Sequence, residues 1–216
     1  MKNKIKEFLR KKNSSESEIN LDDIHKIKKE NEKLKKSLSS QALDKFKTRR
    51  SIRKYSQEPI DWETIYHIIE AGANAPCAGN IQNYKVVIVQ DKKKKYEISR
   101  IASQQYWLSD APLLLIIVRD SRHVCEIYPG EGKTYCIQNS AAVIENILMM
   151  AHFYDLGACW VESYDNEVLK EFLSVPQELT IDAIVPLGYP KENPVVSKQP
   201  MVSCVFFEKY GNRERK

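Results

Sequence analysis

Apolar positions along this chain recur with two different periods, and the expected elements follow from them. Between Asp61 and Ala73, Ile65, Ile68 and Ile69 share one helical face, and Asp61 is placed to cap the first turn. Tyr84 to Val89 and Leu113 to Val118 are nearly continuous apolar runs of strand length, which predict two buried strands. Asp91 to Lys95 reads as a lysine-rich turn, and 94–105 as a helix. The longest periodic segment, Tyr135 to Tyr154, sets Ile137, Ala141, Ile144, Ile147, Leu148 and Ala151 at helical spacing, while Ala142 and Val143 fill further faces. A helix apolar most of the way round is buried most of the way round. In a body this small it is the central helix, open to sharing with a partner subunit. Ala158 to Val161 predicts a third strand, Asp165 caps a short helix to Leu173, and Ile181 to Leu187 predicts a fourth strand closed by Gly188-Tyr189-Pro190. Residues 120–134 read as a loop. Val202 to Phe207 reads as a strand without a helix of its own, of the kind that completes a neighbour's sheet, and so hints at a dimer. No Gly-x-Gly-x-x-Gly follows a strand, which argues against a dinucleotide-binding Rossmann domain.

The first 47 residues follow another pattern. Gly and Pro are absent, and Ile24, Ile27, Asn31, Leu34, Leu38 and Gln41 alternate by three and four. That spacing fits a short heptad seam with Asn31 at a core position and Glu30 and Lys35 flanking it. The seam covers only about two and a half heptads, short of a full coiled-coil signature, so an amphipathic arm packed on its own or its partner's body is the other reading. The expected division is a basic helical arm, residues 1–44, and one folded domain, residues 45–216.

Charge sharpens this division. The chain of 216 residues carries a formal +5, but residues 1–47 hold 14 Lys+Arg against 8 Asp+Glu, which leaves the body near −1. The basic excess belongs to the arm, which also lacks the aromatic residues that base stacking requires apart from Phe8 and Phe46. Nucleic acid is therefore not the expected ligand of the body. The five cysteines form no Cys-x-x-Cys pair and no Cys/His cluster, so neither a zinc site nor a disulfide framework is expected; Cys136, Cys159 and Cys204 read as small core residues. No apolar run reaches the roughly 20 residues of a membrane span. The basic start lacks a signal-peptide core, and a cytoplasmic location is expected.

Candidate chemistry lies in two short segments. Thr48-Arg49-Arg50-Ser51-Ile52-Arg53 places three guanidiniums and two hydroxyls within six residues, a donor set suited to phosphate. Ala75-Pro76-Cys77-Ala78-Gly79-Asn80-Ile81-Gln82 is a turn-rich loop whose amides and backbone N–H groups suit the edge of a planar heterocycle. Alone, the first is an ordinary solvated basic face and the second an ordinary connection. Their order, with a helix between them and a strand after, points to a phosphorylated ring cofactor. His67, His123 and His152 read as surface or helix residues, not as catalysts.

With these segments in order, the chain resembles the FMN-dependent nitroreductase family over residues 45–208. Arg49 to Tyr55 looks like the family's phosphate motif, and Ala75 to Tyr84 like its flavin loop. Gln105-Tyr106-Trp107 before Ala111-Pro112, Asn139 to Met150, Leu156 to Val161 and Leu187-Gly188-Tyr189-Pro190 complete the pattern. The resemblance implies an α+β fold, a central mostly antiparallel sheet flanked by helices, in an intertwined homodimer with FMN at the interface. It implies that Arg49, Arg50, Ser51 and Arg53 serve the phosphate or the polar ring edge, and that Lys198 adds a further cation. It implies that Pro76, Cys77, Ala78, Asn80 and Gln82 form a flavin loop given by the other subunit. Asn139 would stand near the ribityl chain, Gln105 near the ring, and Trp160, Glu162 and Ser163 under the flavin N5 region. No catalytic side chain is implied, because the redox chemistry is the cofactor's.

The expected activity is NAD(P)H-dependent reduction of electron-poor acceptors, such as nitroaromatics or quinones, by a ping-pong route. Reductive dehalogenation on the same fold and a flavin-fold binding module with a basic docking arm are the alternatives. Three features depart from the family pattern: Cys77 stands at a common Ser position, Asn83-Tyr84 replaces Pro-Trp, and the arm is additional. Cys77 is open to two readings, a small-residue replacement or a redox-active thiol. The loop 120–134 is likewise either a plain surface loop or a substrate lid presenting Tyr128, Glu131 and Lys133.

Overall fold

Three apolar runs of strand length in the body, at 84–89, 113–119 and 180–188, become the long strands of one sheet. The computed structural model describes residues 21–215 and divides the chain into two units, Met1–Thr48 and Arg49–Lys216. In the first unit the described residues form one long helix, α1 (Leu21–Thr48), so the periodic stretch continues helical beyond the expected arm boundary.

The second unit is built on four antiparallel strands: β1 (Tyr84–Val89), β2 (Leu113–Arg119), β3 (Gly157–Ala158) and β4 (Thr180–Gly188), in the order β1-β2-β4-β3. β2 and β4 are buried along nearly their whole length, which explains why they read as continuous apolar runs and not as alternating ones. Alternate β2 residues enter different layers. Leu113, Leu115 and Ile117 meet Ile65 and Ile68 of α2 (Trp62–Ala73) and Ile144 and Ile147 of a 22-residue central helix. Leu114, Ile116 and Val118 meet Ile98 of α3 (Lys92–Ile101), together with Ile52, Tyr55 and Leu108. The strand period of two thus sorts one strand into two cores. Asp61 caps α2 by accepting from the Thr64 N–H at 2.8 Å, as expected.

Several expectations need correction. The lysines after Asp91 form the first turns of α3, not a separate turn. Asp91 accepts from the Lys94 N–H at 2.8 Å, and lysine is a good helix former. Lys95 is buried, and its ammonium donates to the Ala111 and Pro112 carbonyls. The expected loop 120–134 contains α4 (Arg122–Ile127), and the central helix, α5 (Gly132–Phe153), already begins within it. A six-residue helix with Val124 as its one buried side chain leaves no periodic trace. The third strand is shorter than expected: only Gly157–Ala158 forms a ladder, and Val161 adds an isolated bridge to Ile184. α6 (Asn166–Leu173) follows the Asp165 cap. Val202 to Phe207 is not a strand in this chain; Met201–Ser203 is a 3-10 turn, with Met201 and Val202 exposed. Cys204 is exposed and not a core residue, while Cys136 and Cys159 are buried. Among the described residues no helix is long and apolar enough to cross a membrane.

Candidate active site

The arginine segment is stitched to the β3 edge of the sheet. Ser51 makes a parallel bridge to Ala158, the Ile52 N–H donates to the Ala158 carbonyl at 3.0 Å, and the Ser56 N–H donates to the Tyr189 carbonyl at 2.8 Å. Ile52 and Tyr55 are buried anchors, and the Tyr55 hydroxyl donates to the Ile52 carbonyl. These ties hold the backbone on both sides of Arg53, and the segment runs past Cys159, which follows Ala158. Burial pushes the Cys159 thiol up, while the guanidinium of Arg53, the Ser51 hydroxyl and the guanidinium of Arg49 draw it down. The two guanidiniums and the Ser51 hydroxyl thus lie in the electrostatic neighbourhood of this thiol, together with the Glu192 carboxylate, which raises it. The Arg53 guanidinium also lies over the Trp107 ring, 5.8 Å from its centroid, a contact worth about 0.5–1 kcal/mol at an exposed site.

Arg50 points elsewhere. Its Nε donates to the Pro194 carbonyl at 3.1 Å and its Nη1 to the Arg49 carbonyl at 2.8 Å, so it ties the segment to the chain after β4. Lys198 stands exposed four residues beyond Pro194. Glu192 accepts from the Arg53 N–H at 2.5 Å and sets a carboxylate beside the cationic group.

Gln105, Trp160, Glu162 and Ser163 lie along the same edge. Gln105 Nε2 donates to the Ala102 carbonyl at 2.9 Å and the Ser163 carbonyl at 3.0 Å, and the Ser103 and Ser163 hydroxyls are 3.1 Å apart. Glu162 and Ser163 are exposed. Trp160 is half-buried, and its Nε1 is buried without a hydrogen-bond partner.

The amide loop is held at a different place, by α5 and the residue before β1. Asn139, buried in α5, accepts from the Ala78 N–H at 2.9 Å and donates to Asn83 Oδ1 at 2.9 Å. Gln82 Nε2 donates to Asn80 Oδ1 at 3.2 Å and approaches Cys77 Sγ at 3.8 Å. Pro76 is exposed. Gly79 has φ +61, and the Tyr128 hydroxyl lies 2.9 Å from where its Cβ would stand, so both backbone conformation and space require glycine. Because the Asn139 side chain ties α5 to this loop, Asn139→Ala should cost about 1 kcal/mol of stability in urea unfolding and should raise protease cleavage within 75–82.

One chain does not bring the two candidate segments together. The loop leads into β1 and the arginines flank β3, at opposite edges of the sheet. Three strand spacings separate those edges, roughly 14 Å. Trp107, Asn83 and Tyr128 stood in segments the sequence singled out, but without these contacts, and Glu192 was missed; only tertiary contact reveals it.

Comparison with known proteins agrees with this architecture. Residues 46–189 match the model of the nitroreductase family. A protein of Methanothermobacter thermautotrophicus, whose name pairs NADH dehydrogenase with NAD(P)H nitroreductase, is 31% identical over 156 residues, 70% of this chain and 78% of its own. The NADPH:FMN oxidoreductase of Vibrio harveyi, solved with NAD+, superposes with a TM-score of 0.71 at 25% identity over 78% of this chain and 77% of its own. Nitroreductase A of Vibrio parahaemolyticus gives 0.71 at 26% identity, over 79% and 76%. The sheet order, the two-layered core and the matched residues have one explanation: this chain belongs to the nitroreductase family.

Proposed function

We propose that the protein is an NAD(P)H-dependent FMN oxidoreductase that works as a homodimer and passes electrons to electron-poor acceptors, nitroaromatics or quinones, in ping-pong order. The observation that carries this reading is the anchoring of the Arg49–Arg53 segment along β3, with the Arg53 guanidinium held over Trp107. Two guanidiniums and a hydroxyl on one anchored segment are the donor set of a phosphate monoester. Trp160, the residue after Cys159, has a buried Nε1 without a hydrogen-bond partner, a donor that fits a polar acceptor. FMN, when bound, supplies the hydride chemistry. The chain's own residues bind and orient. Trp107 holds the Arg53 guanidinium in place before any phosphate arrives, Arg50 pins the segment through Pro194, and Lys198 is near enough in sequence to add a third cation. The chain offers no acid–base pair for the hydride steps and needs none.

The separation of the two segments supports a dimer. The loop residues Pro76, Cys77, Ala78, Asn80 and Gln82 would reach the ring from the second subunit. Ile137 and Phe153 of α5 are 57% and 42% exposed and would be covered there. Truncation of residues 1–43 should leave a dimer by light scattering, and a monomer would shift assembly to the arm.

The first test is spectroscopic. Protein incubated with excess FMN and desalted should retain flavin absorbance at about one FMN per chain. A colourless product from folded protein would sink the reading.

A further inference from the structure

α1 carries a seam suited to a second copy of itself. With Ile24 at heptad position a, positions a hold Ile24, Asn31 and Leu38, and positions d hold Ile27, Leu34 and Gln41. Between Lys26 and Gln41 every apolar residue stands at a or d. Leu34 and Leu38 are 47% and 49% exposed on the helix, so the seam is open to a partner. A stripe two residues wide per heptad is narrower than the face a helix buries on a globular core or a bilayer, and it is the width of a coiled-coil seam. Lys45 takes the next a position and ends it.

The flanking charges choose the direction. Position g holds Glu30 and the following e holds Lys35; one heptad back the same places hold Asp23 and Lys28. In a parallel pair, g of one helix faces the next e of the other, which sets acid against lysine twice on each side. In an antiparallel pair, g faces g and e faces e, so like charges meet. Asn31 at a core position lowers stability but fixes two strands in register, because its amide is satisfied only opposite another. We propose that α1 pairs with α1 of a second copy of this chain as a parallel, in-register, two-stranded coiled coil ending near Gln41. This pairing does not depend on the flavin reading.

Single thiols introduced into the full-length chain test it. Under oxidised glutathione, I27C and L34C, both at d, should each convert largely to a disulfide-linked dimer. Wild type, with its native cysteines, and K29C and K36C, on the outer face, should remain mostly uncrosslinked. E30K in the L34C background should lower crosslinking severalfold, and E30K with K35E should restore it. Crosslinking of K36C equal to that of L34C would overturn the proposal, as would crosslinking of I27C seen only when it is mixed with L38C, the antiparallel result, in which d faces a. No effect of E30K would remove the charge selection on which the direction rests. No crosslink at either d position, in samples with native circular dichroism, would return α1 to the body surface. Flavin absorbance of the same samples scores FMN binding separately.

Discussion

Arg49→Ala and Arg53→Ala should each weaken FMN binding by about 1.5–3 kcal/mol, roughly 10- to 150-fold. The reason is geometric. Ser51 and Ile52 are bonded along β3, so the guanidiniums on either side extend from a fixed backbone and lose little freedom on meeting a phosphate. Riboflavin, which lacks the phosphate, is the control: its affinity should be nearly insensitive to both substitutions. Isothermal titration with the two flavins separates the cases. Equal, large losses for both would mean that the arginines support the ring or the fold, and changes within about 0.5 kcal/mol for both would mean a solvated face. Arg50→Ala should behave differently, because its bonds go to the Pro194 and Arg49 carbonyls. Its cost should appear alike for both flavins.

Gly157→Ala should have a comparable effect from within the sheet. A Cβ at Gly157 would stand 2.8 Å from Ile52 Cβ and Cγ2, closer than packed carbons approach. The methyl group would push the arginine segment off β3, where the Ile52 N–H bonds to Ala158. The expected cost is about 1–3 kcal/mol of stability, the usual price of overpacking. FMN affinity should fall with it, because Ser51 and Arg53 move with Ile52. Ile52→Ala removes Cγ1 and Cγ2 but keeps Cβ, so it relieves part of the clash, and the penalties of Gly157→Ala and Ile52→Ala should total less than their sum in the double variant. Sums that agree within about 0.5 kcal/mol would show that this contact is not the cause. Urea unfolding of the four proteins gives the answer.

The site was legible to different depths. The arginine segment and the amide loop could be named from residue types alone, since guanidiniums and amides have few alternatives as donors to phosphates and heterocycle edges. Their distance apart could not. It depends on the strand order β1-β2-β4-β3, which puts consecutive segments of the chain at opposite edges of one sheet. Arg50 shows the same limit at a single residue: in sequence it equals its neighbours, and only the Pro194 carbonyl, 144 residues on, gives it a different task.

By itself the sequence determined the elements whose signals are local. Asp61 and Asp165 cap the helices that follow them, and the apolar runs form β1, β2 and β4, because a cap needs only the next few N–H groups and a buried strand only its own apolar side chains. The sequence also located the heptad seam, and α1 extends it as a continuous helix. Tertiary structure decided whatever depends on a distant partner. α4 has a single buried residue and takes shape against α5. Val202 to Phe207 has strand composition, yet Met201–Ser203 forms a 3-10 turn. Strand pairing and short-helix docking draw their free energy from surfaces far away along the chain, and local pattern carries no record of whether those surfaces are present.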